Sequence, residues 1–119
     1  MDSLAQARRI AALAQEKLAE DVLILDMRSE CTFTDYFVIA TGRNPRQTAA
    51  IWDEVHEKLK QEERAIPRTV DGVQERTSIL ADYLDVVLHV FTPEAREYYK
   101  LEELWGDLPA VELDAAASA

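Results

Sequence analysis

Hydrophobic positions along the chain follow two different spacings. From Leu4 to Leu18 they recur every three or four residues, which is typical of one face of an α-helix. Residues 21–27 and 35–41 instead contain continuous apolar runs of strand length, rich in β-branched and aromatic side chains. Because neither run alternates with polar residues, we expect both strands to be covered on two faces by helices.

A second helix is predicted after the second strand. Asn44 can cap its first turn, Pro45 suits its first position, and Gln47 can reach back as in a capping box. Apolar and small side chains then recur at helical spacing, which predicts a buried stripe made of Thr48, Ile51, Trp52, Val55 and Leu59.

The second half of the chain predicts further strands and one more helix. Residues 65–77 are polar and indicate a short edge strand or a loop, whereas 79–81 and 86–91 indicate two strands joined by a tight turn. A last helix is predicted from Thr92 and Pro93. Its sheet-facing residues are expected to be Tyr98, Leu101, Leu104 and Trp105.

The resulting element order, αββα(β)ββα, predicts an α/β fold: a mixed β-sheet flanked by helices, in the form of an α/β sandwich. With 119 residues, the chain is long enough for one domain of ordinary size. We expect that domain to span residues 1–107, followed by a flexible tail over 108–119.

Charge and composition narrow the classes of function. The formal net charge is −10, which disfavours direct, charge-driven binding of nucleic acid and favours a basic protein partner. No apolar stretch approaches the roughly 20 residues that cross a bilayer, and the N-terminus does not resemble a signal peptide. We therefore expect a cytoplasmic protein without a membrane segment. Its single cysteine, Cys31, excludes an internal disulfide.

The segment ILADYLDVVLHVF places two carboxylates, a phenol and an imidazole in one apolar run. Strand alternation puts His89 on one face with Val87 and Phe91, among apolar neighbours rather than catalytic groups. Asp82 and Asp85 bracket a turn, where aspartate is favoured because its side chain accepts nearby N–H groups. This turn interpretation is favoured over catalysis.

A catalytic alternative stays open at this point. Asp82 and Asp85, with Asp35, could bind magnesium in an enzyme of the nucleotidyltransferase type if the three carboxylates converge at one end of the sheet. Zinc is disfavoured because one cysteine and two distant histidines form a poor ligand set. The loop before the second helix lacks the glycines and lysine of a phosphate-binding loop.

Three segments carry a family resemblance: TDYFVIATGRNPRQTAAI at 34–51, DYLDVVLHVF at 82–91 and REYYKLEELW at 96–105. In this order and spacing, they resemble the ribosomal silencing factor family, also called Iojap-like, and the resemblance covers residues 3–107. It implies a nucleotidyltransferase-like fold without that class's catalytic groups, hence no enzymatic activity and no cofactor. It also implies a homodimer.

The resemblance further implies a target. Family members bind the large ribosomal subunit at its subunit-joining face, through the universal ribosomal protein numbered fourteen, and sterically block association with the small subunit during nutrient limitation. Carried over by motif position, the candidate binding residues are Ser78, Asp82, Tyr83, Leu84, Asp85 and His89. In such a surface, Tyr83 is expected to be an exposed aromatic anchor, and the carboxylates are expected to pair with lysine or arginine.

Two positions depart from the family pattern. Ser78 stands where relatives usually carry tryptophan, so a member that has lost ribosome binding is a third alternative. Leu84 stands where glycine is frequent. If the turn requires a positive φ, leucine is strained there, whereas a type I turn tolerates it. An exposed Leu84 could also replace part of the missing anchor.

Overall fold

The computed structural model describes residues 2–30, 32–101, 103 and 107–113. Within these ranges the chain forms three helices and six strands. In chain order they are α1 (Ser3–Glu16), β1 (Glu20–Asp26), β2 (Tyr36–Thr41), α2 (Pro45–Glu63), β3 (Thr69–Asp71), β4 (Ser78–Asp82), β5 (Val86–Phe91), α3 (Pro93–Tyr99) and β6 (Ala110–Val111). None of the described helices is long and apolar enough to cross a membrane.

The strands form one sheet in the order β3-β4-β5-β2-β1-β6. β2 and β5 lie at its centre and pair in parallel, with Tyr36 opposite Val86 and Thr41 opposite Phe91. Every other neighbouring pair is antiparallel. The predicted mixed sheet flanked by helices is therefore confirmed. All residues of β2 and β5 are buried, as the continuous apolar run over 35–41 predicted for β2. The same expectation for β1 is wrong in part: Ile24 and Leu25 are buried, but Val22 and Leu23 are only half-buried.

α1 and α2 cover one face of the sheet. α1 approaches closely because fully buried alanines, among them Ala7, Ala11 and Ala14, form much of its inner side. α2 buries the whole predicted stripe from Thr48 to Leu59. On the opposite face a smaller apolar cluster includes Phe37, Val87 and Phe91, against which Ala95 and Leu101 pack.

Each of the three helices begins with a capped first turn, and the caps of the second and third are the predicted residues. The side chains of Asp2, Asn44 and Thr92 accept hydrogen bonds from the backbone N–H three residues later, at 2.7, 2.9 and 3.3 Å. The capping box of α2 differs by one residue from the prediction. The Gln47 side chain accepts from the N–H of Arg43, at 2.7 Å, instead of that of Asn44.

The C-terminal part differs from the prediction in two respects. Tyr98 does not face the sheet; it is 79% exposed, and Tyr99 stacks against Phe91 instead, with ring centroids 5.6 Å apart. Leu104 and Trp105 lie outside the described residues. Within the segment expected to be a flexible tail, β6 pairs with the outer side of β1, Val111 opposite Ile24.

The loop between β3 and β4 is fixed at several points. The Thr48 hydroxyl donates to the carbonyl of Arg76, and the Thr92 N–H donates to the carbonyl of Thr77 at 2.9 Å. Gly72 begins the loop with a φ of +85°, and a Cβ built there would lie 1.8 Å from the carbonyl oxygen of Ser78. Only glycine fits this position without moving the β3–β4 hairpin.

We therefore expect Gly72→Ala to lower the free energy of unfolding by about 2 kcal/mol, because the new methyl group clashes and the positive φ is strained. Urea denaturation followed by circular dichroism measures the change. Gln74→Ala, at an exposed position of the same loop, is the matched control and should stay within about 0.5 kcal/mol of the unmodified protein. Equal stabilities for both variants would contradict the assigned backbone conformation.

Candidate functional site

The turn between β4 and β5 is held by Asp82. One carboxylate oxygen accepts from the Leu84 N–H at 2.7 Å, and the other accepts from the Arg68 guanidinium at 2.8 Å. Burial alone raises the pKa of Asp82, but these two hydrogen bonds outweigh it and hold the pKa below its usual value. The turn interpretation of Asp82 is confirmed.

Leu84 occupies a strained backbone position at the tip of this turn. Its φ is +81°, and across it the Asp85 N–H donates to the Tyr83 carbonyl at 3.1 Å, the pattern of a γ-turn. A type I turn is therefore wrong for this segment, and the positive φ that favours glycine is present. The Leu84 side chain is 51% exposed, so little packing offsets the strain.

Tyr83 is buried, and the expectation that it is an exposed anchor is wrong. Only 8% of the residue is exposed, and its ring lies 6.4 Å from that of Trp52 on the face covered by α2. Burial, together with the nearby Glu63 carboxylate, raises the pKa of the phenol. Its hydroxyl has no hydrogen-bond partner among the described residues. Tyr83 therefore holds the turn against the core.

His89 is also nearly buried, with 8% of the residue exposed. As alternation predicted, it lies among apolar rings: the Phe37 and Phe91 centroids are 4.8 and 5.8 Å away. Its Nε2 atom has no partner among the described residues. Burial lowers the pKa of His89 from 6.5 to about 4, so the imidazole is neutral at physiological pH.

A groove of about 560 Å³ lies on the face of β4 and β5 that α1 and α2 do not cover. We call it the His89 groove. Buried His89 and Phe91 form its floor, and the exposed carboxylates of Asp71 and Glu75 lie at its rim. Its remaining lining includes Ser78, Leu80, Tyr99 and Leu101.

The groove brings together two of the six candidate residues, Ser78 and His89. Asp82 lies two residues after Leu80 on the same face of β4, whereas Leu84 and Asp85 lie at the exposed turn. Leu80 and Tyr99 also line the groove but were not among the residues predicted from the sequence. Strand alternation could have indicated Leu80, because it lies between Ser78 and Asp82 on the same face of the strand. No local pattern distinguished Tyr99 from the adjacent Tyr98.

Two of the three carboxylates of the catalytic alternative have partners within the protein. Asp35 accepts a hydrogen bond from the Ser3 hydroxyl at 2.8 Å, and Asp82 pairs with Arg68. Among the residues that the structure describes, no three histidine, cysteine, aspartate or glutamate side chains are grouped so that they could hold a metal ion. Asp35, Asp82 and Asp85 therefore do not form a metal site in this arrangement.

The family model described as "Ribosomal silencing factor during starvation" matches residues 1–119. The chain belongs to the ribosomal silencing factor family. The family protein from Bacillus subtilis is 39% identical over 104 residues, covering 87% of each chain. A mouse relative named "Mitochondrial assembly of ribosomal large subunit protein 1" is 30% identical over 101 residues, 81% of this chain and 43% of its own length.

Two solved structures have the same fold as this member of the silencing factor family. A Chromobacterium violaceum protein superposes with a TM-score of 0.85 at 28% identity, over 89% of this chain and 88% of that one. A Bacillus halodurans protein superposes with a TM-score of 0.74 at 35% identity, over 87% and 94%. These similarities confirm the open α/β sheet flanked by helices.

Leu84→Gly should stabilise this silencing factor by up to about 1 kcal/mol. Relief of the positive φ contributes about 1–2 kcal/mol, and the greater freedom of glycine in the unfolded chain offsets part of it. Urea denaturation measures the difference. Leu84→Ala is the control, because it removes the exposed side chain but retains the Cβ, and it should not stabilise the protein. An equal increase in the free energy of unfolding of both variants would contradict backbone strain at Leu84 as the cause.

His89→Phe should remove a pH-dependent loss of stability. The folded-state pKa of about 4 lies below the ordinary 6.5, so the unfolded chain takes up the proton first. Stability is therefore unaffected above pH 6.5 and falls as the pH drops toward 4. Between pH 7 and pH 5, the unmodified protein should lose about 2 kcal/mol relative to the variant. Urea denaturation of both proteins at the two pH values gives the comparison; a constant difference would contradict a neutral buried imidazole.

Proposed function

We propose that this chain binds the large ribosomal subunit at its subunit-joining face and sterically blocks association with the small subunit during nutrient limitation. The proposed contact is the universal ribosomal protein numbered fourteen, a basic protein. Membership of the silencing factor family supports the proposal, as does the printed name of the mouse relative, which refers to the large ribosomal subunit. The proposal also includes a cytoplasmic location and a homodimer.

The observation that carries the proposal is the partly open face of β3, β4 and β5. Here half-buried Leu80 and exposed Tyr99 adjoin the exposed carboxylates of Asp71 and Glu75. Apolar contact area within an acidic rim matches a basic protein surface, and the net charge of −10 favours fast association with it. The same charge repels ribosomal RNA, which favours a protein contact over an RNA contact.

We propose revised roles for the candidate residues. Ser78, Asp82 and His89 lie on or beside the proposed docking face, and Leu84 and Asp85 extend it at the exposed turn. Tyr83 acts indirectly, by packing the turn against α2. Tyr99 takes the aromatic anchoring role, because it is exposed and lines the same groove as Ser78. Because Tyr99 lies near Ser78, its ring replaces in part the contact area that the small serine side chain does not provide.

Blocking of subunit association requires occupancy of a surface and no bond-making step. The stability of the complex therefore sets the strength of the proposed repression, and substitutions on the docking face should change binding and repression together. A rim charge acts mainly through long-range attraction, which salt screens within about 8–10 Å at physiological ionic strength. Binding should accordingly weaken as salt is raised.

Asp71→Arg should weaken binding to large subunits at least tenfold, about 1.4 kcal/mol, because it places a cation against a basic partner. Asp53→Arg is the matched control. Asp53 is also an exposed aspartate, but it lies on the outer side of α2, away from the face of β3, β4 and β5. Co-sedimentation with purified large subunits measures binding, and light scattering of mixed subunits measures the block of association.

Asp53→Arg should bind within about twofold of the unmodified protein, less than 0.5 kcal/mol. If the unmodified chain does not co-sediment at moderate salt, the proposed function is wrong. Equal losses in both variants would indicate a general effect of net charge and contradict docking through the β3–β5 face.

A further inference from the structure

His89 lowers the stability of the folded protein in a way that the fold itself does not require. A buried polar atom without a hydrogen-bond partner destabilises a protein. Phenylalanine would fill a similar volume between Phe37 and Phe91 and carry no such cost. His89 lines the His89 groove, and its buried Nε2 atom has no hydrogen-bond partner among the described residues. A donor that enters the groove would meet this unsatisfied imidazole.

The polar groups around the groove are complementary to a hydrogen-bond donor. Asp71 and Glu75 carry carboxylates, which accept hydrogen bonds and do not donate. Neither forms an ion pair with another described residue. The Ser78 hydroxyl and a neutral imidazole can also accept. A group that only donates and carries a positive charge is therefore the best match for this set.

The apolar part of the groove suits an aliphatic stem with a planar cationic head. Leu80, Leu101 and Phe91 provide apolar contact, and the Tyr99 ring, 53% exposed, stacks on Phe91 at the groove. A guanidinium is attracted to the face of an aromatic ring, and its hydration is weaker than that of an ammonium group. Both properties favour arginine over lysine in a partly desolvated groove.

We infer that the His89 groove is a receptor for one arginine side chain of a basic protein partner. The aliphatic stem packs on Leu80 and Phe91, the guanidinium lies against Tyr99 and pairs with the rim carboxylates, and one N–H donates to His89. This inference rests on the proposed function, since it identifies which chemical group of the ribosomal partner the docking face recognises.

The full chain, labelled at its histidines, is titrated with the peptide acetyl-Gly-Arg-Gly-amide and observed by nuclear magnetic resonance. The citrulline peptide is the neutral isostere, and the lysine peptide tests the shape of the head group. A dissociation constant on the order of millimolar is expected for arginine, because one side chain supplies few contacts. The His89 signals should shift saturably, and citrulline should bind at least fivefold more weakly.

Variants test each part of the receptor. His89→Phe, which preserves the packing volume, should weaken arginine binding at least threefold, and Asp71→Asn with Glu75→Gln at least fivefold. Asp53→Asn with Glu57→Gln removes the same charge from the outer side of α2 and should leave binding unchanged. Equal binding of citrulline, or no saturable shift up to roughly 50 mM peptide, a free energy of less than about 2 kcal/mol, would overturn the inference.

Ribosome binding separates this inference from the proposed function. If the unmodified chain co-sediments with large subunits and His89→Phe and the rim variant do so equally well, the arginine receptor is wrong and docking stands. If the arginine peptide binds selectively but the unmodified chain does not co-sediment, the proposed function is wrong, whereas the selectivity of the groove stands.

Discussion

The parallel pairing of β2 with β5 is the constraint on which the rest of the molecule depends. Both strands are buried along their whole length, so any polar side chain within them must be satisfied by the protein or remain unpaired. Thr41 meets this requirement, because its hydroxyl accepts from the Arg96 guanidinium at 2.7 Å. On the neighbouring strand, the Nε2 atom of His89 has no hydrogen-bond partner among the described residues, and the neutral state of the ring follows from its burial.

The proposed docking face follows from unequal cover on the two sides of the central strand pair. On one side α1 and α2, with 14 and 19 residues, cover β1, β2, β5 and β4. On the other side α3 has seven residues and contacts the end of β5. Among the described residues, α3 does not cover β3 and β4. Leu80 and Ser78 therefore remain half-buried, and the groove lies beside them.

The sequence predicted features that depend on neighbours close along the chain. The caps at Asn44 and Thr92, the buried stripe of α2 and the face on which His89 lies all follow from local spacing. Tyr83 could not be placed in this way, because it follows the last residue of β4 and its direction depends on how the turn meets α2. β6 has two residues and no strand signal of its own; pairing with β1 creates it.

The three buried side-chain atoms without partners in the described part of the chain are not equivalent. The Glu63 carboxylate lies close enough to Tyr83 to raise the pKa of the phenol. His89 has no such charged neighbour among the described residues, and burial alone lowers its pKa. Strain at Leu84 lies at the end of the same strand pair. Local costs that folding does not relieve are expected where a surface is shaped for binding, and here both lie along β4 and β5.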